Sequence, residues 1–213
     1  MFGSAMLELL RREMSGLEVD AEQLRPYLQT GFPWHRPDRP HPEIETSEAW
    51  WNSLAPVFES GFRGIGVGTQ RARSLAQQVR HVYAAPSRWR LFDQALPTLD
   101  RLTVRGWTHV LLSNHVPELR DIVDHLGLTS RLARIFNSAE TGYEKPHPRA
   151  FRMVLDAFPD ATVVWMIGDS VAADVAGAER IGIPAILIHA ESGEAGRVCA
   201  ALSELEAIVS EEP

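Results

Sequence analysis

Residues 162–174 read Thr-Val-Val-Trp-Met-Ile-Gly-Asp-Ser-Val-Ala-Ala-Asp. An apolar, β-rich run, Thr162–Ile167, stops at Gly168-Asp169-Ser170 and passes at once into a helical pattern, Val171–Ile181. That is a short buried strand handing over to a helix. Working outward, the same alternation recurs. Apolar runs stand at His109–Leu112, Arg134–Asn137 and Ala185–His189, with helical segments at Val116–Leu126 and Pro148–Phe158 between them. Short buried strands alternating with helices predict an α/β fold, a doubly wound parallel sheet covered by helices on both faces. Open sheets of this kind hold their sites at the carboxyl ends of the strands.

Toward the amino end the alternation stops. Leu7, Leu10 and Met14 share one helical stripe over residues 5–14, and Gly16 follows as a stop. Asp20 with Gln23 makes a capping-box-like start for a second helix bearing Leu24 and Leu28. Gly31 to Pro42 holds four prolines and reads as a loop. Helical patterns resume at Ser47–Phe58 and Arg71–Tyr83, the latter with Leu75, Val79 and Val82 on one face. The chain therefore divides near residue 90. A small helical bundle is expected over 1–90 and a Rossmann-like α/β unit over 91–213.

Composition bounds the function. The 213 residues are 45% hydrophobic and 23% charged, with 21 basic and 28 acidic residues and a net charge of −7. This is a globular chain, and its charge argues against a nucleic-acid groove or an anionic membrane surface. No apolar run approaches the roughly 18–20 residues of a spanning helix, and the start has no basic segment leading into an apolar one. A lone Cys199 excludes an internal disulfide and a cysteine-based zinc site. A soluble, cytoplasmic protein is expected. Twenty of the basic residues are Arg and one, Lys145, is Lys. Where Arg is the default cation, a single Lys points to a place that wants a compact charge instead of a planar fork.

The strand ends carry the polar residues. The first run ends in Ser113-Asn114-His115, and the third in Gly168-Asp169-Ser170, with Asp174 one turn on. After the second run comes Glu144-Lys145-Pro146-His147-Pro148, which opens a helix with Pro in its first turn. A hydroxyl, an ammonium and two carboxylates thus converge on one rim, a chemistry suited to an anion plus a divalent cation. Ser113 and nearby backbone N–H groups can hold phosphate oxygens, Lys145 can offset their charge, and Asp169 can bind Mg²⁺.

Leu111-Leu112-Ser113-Asn114, Glu144-Lys145-Pro146-His147-Pro148, and Ile167-Gly168-Asp169-Ser170 followed by Asp174, Gly177 and Ala178 resemble motifs II, III and IV of the haloacid dehalogenase superfamily, in order and spacing. The likeness covers about residues 90–190, and the preceding helices resemble that superfamily's first-type cap. It implies a Mg²⁺-dependent phosphatase acting on a small phosphate ester. Ser113 would hold the phosphoryl group with Asn114 as a positioning residue, and Lys145 would steady nucleophile and phosphate. Asp169 would bind the metal, and Asp174 would orient its waters or the neighbouring loop. Two-haloacid dehalogenases, the alternative within the superfamily, typically have Ser-Asn where this chain has Gly168-Asp169.

The superfamily's first motif, an apolar strand ending in Asp-x-Asp-Gly-Thr, should precede the cap and supply the nucleophile. No Asp-x-Asp occurs in this sequence. The resemblance places that strand centrally, between the strands of Ser113 and Asp169. Without it a gap of two strand spacings, about 9–10 Å, is expected between two sheet edges. Truncation at the amino end is the favoured reading and inactivity of the chain as supplied the corollary; a non-catalytic interaction module is the competing one. The remaining features have plainer readings. His35, Asp38 and His41 read as a solvated loop, Gly64, Gly66 and Gly68 as a turn between helices, and Trp34, Trp50, Trp51 and Trp89 mostly as helical core. Leu202–Val209 reads as a final amphipathic helix with an acidic end, 210–213.

Overall fold

A computed structural model describes residues 2–14, 16, 18–42, 44, 46–189 and 196–209. Helices are the only regular elements among the described residues of the first half. Helix α1 (Phe2–Glu13) is followed by the single turn α2 (Ala21–Leu24), where Asp20 and Gln23 form the expected capping box. The second helix ends there: Pro26 has no N–H to donate, and Arg25–Leu28 tightens into a 3₁₀ turn. Helix α3 (Ser47–Gly64) starts on Thr46, whose side chain accepts the Ala49 N–H, and runs beyond the expected Phe58 through an internal Pro56. A turn over Ile65–Gly68 leads into α4 (Thr69–Tyr83).

These helices share one core. Met6, Leu9, Trp50, Leu54, Phe58, Phe62, Leu75 and Val79 are buried, with spacings of three and four along each helix. Trp50 and Trp51 lie inside it, while Trp34 and Trp89 are half-buried against it. Val116 and Ala139, from the second half, belong to the same cluster, so the helical layer packs against the segments that follow the first two strands.

The second half alternates as expected, with the added elements α5 (Ala95–Val104), α7 (Ser138–Thr141) and β5 (Val198–Cys199); the buried face of α5 is only Thr98 and Leu102. Strand β1 (Val110–Ser113) leads to α6 (Leu119–His125), and β2 (Arg134–Asn137) to the short α7 (Ser138–Thr141) and to α8 (Pro148–Ala157). Strand β3 (Met166–Gly168) leads through a π-turn, Val171–Val175, into α9 (Ala176–Glu179). Strands β4 (Ala185–Ile188) and β5 (Val198–Cys199) precede a final 3₁₀ turn and α10 (Leu205–Ile208). The third strand is three residues long where Thr162–Ile167 was expected, because Thr162 and Val163 are exposed and pair with nothing. The acidic end at 210–213 lies outside the described residues.

All pairings are parallel, and they form two sheets. One is β1–β2, with Ser113 opposite Asn137; the other is β3–β4–β5, with Gly168 opposite Leu187. No ladder joins β1 to β3 among the described residues. The interior strands of a continuous sheet are its most buried. Here β1 and β3 are half-buried along their whole length, whereas Phe136 and Asn137 of β2 and Ala185, Ile186 and Leu187 of β4 are buried. β1 and β3 are the two strands between which the resemblance places the superfamily's first strand.

Candidate active site at the strand ends

The rim is assembled from three loops, each leaving the carboxyl end of a strand. At the end of β1, Asn114 makes a reciprocal pair with Lys145: its Oδ1 accepts the Lys145 N–H at 2.7 Å, and its Nδ2 donates to the Lys145 carbonyl at 2.9 Å. Two bonds to one backbone unit fix the loop after β2 against the loop after β1. The peptide between Lys145 and Pro146 is cis. The His147 N–H donates to the Glu144 carbonyl at 2.8 Å, the His147 ring accepts from the Arg149 N–H, and Pro148 opens α8.

The loop after β3 joins through charge. Lys145 Nζ donates to Asp174 Oδ1 at 2.6 Å, with 11% and 5% of the two side chains exposed. Asp174 Oδ2 accepts the Ser170 N–H at 3.0 Å, and Ser170 Oγ caps the turn through the Ala173 N–H. Gly168 makes this possible, since a Cβ there would lie 2.2 Å from the Asp174 carboxylate. Lys145 is therefore held at both ends, by its backbone from the β1 side and by its ammonium from the β3 side. Ser113 stands half-buried one residue before Asn114, and Asp169 is exposed one residue after Gly168.

The carboxylates have unequal freedom. Both oxygens of Asp174 are engaged and the residue is buried, while Asp169 faces solvent. Their hard oxygens are of the right kind for Mg²⁺, but the described residues bring no three metal-ligating side chains together. Among the described residues, the protein groups by themselves do not complete a divalent-cation ligand set.

Several residues important to this geometry were not among those singled out from the sequence. Asn137, buried at the end of β2, donates to the Val116 carbonyl at 2.8 Å and caps α7 through the Ala139 N–H. Ser138 Oγ accepts the His115 N–H. Both obey the rule that picked out Ser113, a polar residue closing an apolar strand. His41 corrects an expectation. It is buried in place of lying in a solvated loop, its Nε2 is 3.1 Å from the buried Glu144 carboxylate, and its N–H donates to the Gly142 carbonyl. Gly142 sits at φ 74°, where a Cβ would strike the Pro42 backbone at 2.6 Å, so the proline-rich loop is seated on the segment leading to Lys145. His35 and Asp38 remain exposed. The His115 ring lies 4.8 Å from Trp89 and 6.2 Å from Tyr83; burial lowers its pKa to about 4, against the Val116 backbone and Glu118, which pull the other way. Burial also raises the Tyr83 hydroxyl above its ordinary value.

A family model for haloacid dehalogenase-like hydrolases matches residues 44–182. The haloacid dehalogenase-like hydrolase domain-containing protein 3 of Bos taurus is 29% identical over 178 residues, covering 81% of this chain and 70% of its own. A phosphoserine phosphatase of Thermus thermophilus is 33% identical over 150 residues, covering 69% of this chain and 59% of its own. Among solved structures, the HAD-hydrolase YfnB of Bacillus subtilis, bound to magnesium, superposes with a TM-score of 0.68 at 19% identity, over 99% of this chain and 93% of that one. The L-2-haloacid dehalogenase of Xanthobacter autotrophicus does so with a TM-score of 0.67 at 18% identity, over 100% and 94%. At such identities the structural likeness establishes the fold.

Proposed function

Because the chain belongs to the haloacid dehalogenase-like hydrolases, we propose that its rim is the phosphate-holding side of a phosphomonoesterase site for a small phosphate ester. One observation carries this reading: the sole lysine of the sequence, anchored by Asn114 and Asp174, stands where three strand ends meet. Ser113 and the N–H groups after β1 would take phosphate oxygens, Asn114 would keep Lys145 in register with them, and the ammonium would offset the anion's charge. Asp174 holds that ammonium and the Ser170 loop in place. Asp169 would contribute one oxygen to Mg²⁺, which would neutralise phosphate charge when the remaining ligands are supplied. The Thermus thermophilus phosphoserine phosphatase supports the phosphatase side of the family, and Gly168-Asp169 favours it over the dehalogenase side.

The nucleophile is a separate matter. None of the 213 residues supplies an Asp-x-Asp, and nucleophilic carboxylate catalysis has no substitute on this rim. We expect the chain alone to hydrolyse an aryl phosphate negligibly with Mg²⁺ present. Fusing an apolar strand ending in Asp-x-Asp-Gly-Thr, with a linker, ahead of Phe2 tests the proposal. Mg²⁺-dependent hydrolysis should then appear, vanish when the first added Asp becomes Asn, and weaken in Lys145→Arg. A fused chain that folds cooperatively yet leaves a broad phosphate panel untouched would replace this reading with that of a non-catalytic interaction module.

A further inference from the structure

Glu118 occupies the N-cap position of α6, yet its side chain makes no cap bond to its own helix. A carboxylate there ordinarily accepts a backbone N–H and gains from the helix dipole. This one turns toward the helical layer. It accepts the Ser47 hydroxyl at 2.9 Å, the Trp51 indole N–H at 3.0 and 3.1 Å, and the Arg80 Nε–H at 2.9 Å. Ser47 and Trp51 are one turn apart on α3, and Arg80 comes from α4, so two helices converge on one carboxylate whose side chain is only 14% exposed. Two residues before it, Val116 is fully buried in the helical core cluster, and three before it His115 rests on Trp89.

We propose that Glu118 is a positioning residue, the carboxylate anchor that fixes the orientation of the α3–α4 pair against the segment that leaves the rim after Ser113 and Asn114. Charge-assisted bonds of this kind are roughly twice as strong as neutral ones, and a single acceptor shared by three donors ties both helices to one point. The anchor acts whatever reaction the rim performs, so it stands apart from the phosphatase reading.

The test uses the full chain and Glu118→Gln, which keeps the shape but puts an amide NH₂ where an oxygen now accepts. Two measurements are read together: the ¹H–¹⁵N resonance of the Trp51 indole, and hydrogen exchange by mass spectrometry. The indole N–H should move upfield, and exchange should rise at least about tenfold, the equivalent of 1.4 kcal/mol, within residues 47–64, 69–83 and 110–119. Exchange in α8 and β4 should hold. Trp51→Phe, which removes one donor and retains an apolar ring, should give a smaller rise in the same segments; it decides the matter if Glu118→Gln does not fold. An unmoved indole with exchange within about twofold of the parent overturns the proposal. So does a rise spread evenly over the whole chain, which would mark a general loss of stability.

Discussion

Lys145→Met removes an ammonium from a pair of which the structure leaves 11% and 5% of the side chains exposed, at 2.6 Å. The Asp174 carboxylate would keep only the Ser170 N–H as a partner. Breaking a buried ion pair from one side costs about 3–5 kcal/mol, because a charge is left without compensation. In a chain of this size each kcal/mol lowers the melting temperature by roughly 2–4 °C, so a drop of roughly 6–20 °C is expected. Adding Asp174→Asn removes the stranded charge, and the double variant should regain much of the loss, with a coupling of about 2 kcal/mol. Urea unfolding of the parent, both single variants and the double variant measures this directly. A cost below about 1 kcal/mol for Lys145→Met, the range of an exposed pair, would refute the reasoning. A double variant no more stable than Lys145→Met would do so too.

Other outcomes are set by the same geometry. Gly168→Ala drives a Cβ to 2.2 Å from the Asp174 carboxylate; it should cost about 2 kcal/mol or more and shift the Lys145 ammonium resonances, and normal stability would contradict the packing. His115 folds neutral, its pKa lowered by burial to about 4 from 6.5. The unfolded state therefore binds more protons in this window, so the contribution is present above pH 6.5, falls with pH through the window between the two values, and amounts to a loss of about 2 kcal/mol from pH 7 to pH 5. His115→Phe should flatten that part of the pH–stability profile, and an unchanged slope would count against it. Calorimetry should find Mg²⁺ bound no more tightly than about millimolar by the parent chain, since Asp169 is its one solvent-facing rim carboxylate among the described residues; micromolar affinity would contradict that.

Much of this molecule could be read from periodicity. Strand β2 was legible to the residue, and β1 and β4 to within one, because each is an apolar run closed by a polar residue or a turn. The rim could be read from the residues just past each strand: Ser113, Asn114, Lys145, Asp169 and Asp174 all close a strand or lie on a loop that leaves one. What the sequence concealed was pairing across long separations. His41 and Glu144 are 103 residues apart, and Glu118 gathers partners from 38 to 71 residues away. Each looks like an ordinary surface residue until the tertiary fold supplies its neighbour. Short elements were concealed too: β5 is two residues long and α7 a single turn, below the length at which a repeat can be seen.

The two sheets bear on how the molecule comes apart. A continuous sheet transmits order through its backbone ladder, so its strands melt together. Here that transmission is interrupted between β1 and β3. What crosses the interruption is α8, which touches both β1 and α9, helix α5, which pairs with Arg131 on one side and Glu206 on the other, and the side-chain relay from Asn114 through Lys145 to Asp174. Unfolding should then proceed in two cooperative blocks, the β3–β5 block separating from the β1–β2 block with its helical layer. A strand seated between the inner edges would merge the blocks into one. Residues that look like tools for binding an anion thus also serve as the stitches of the fold, and a substitution at Lys145 should broaden the melting transition as well as lower it.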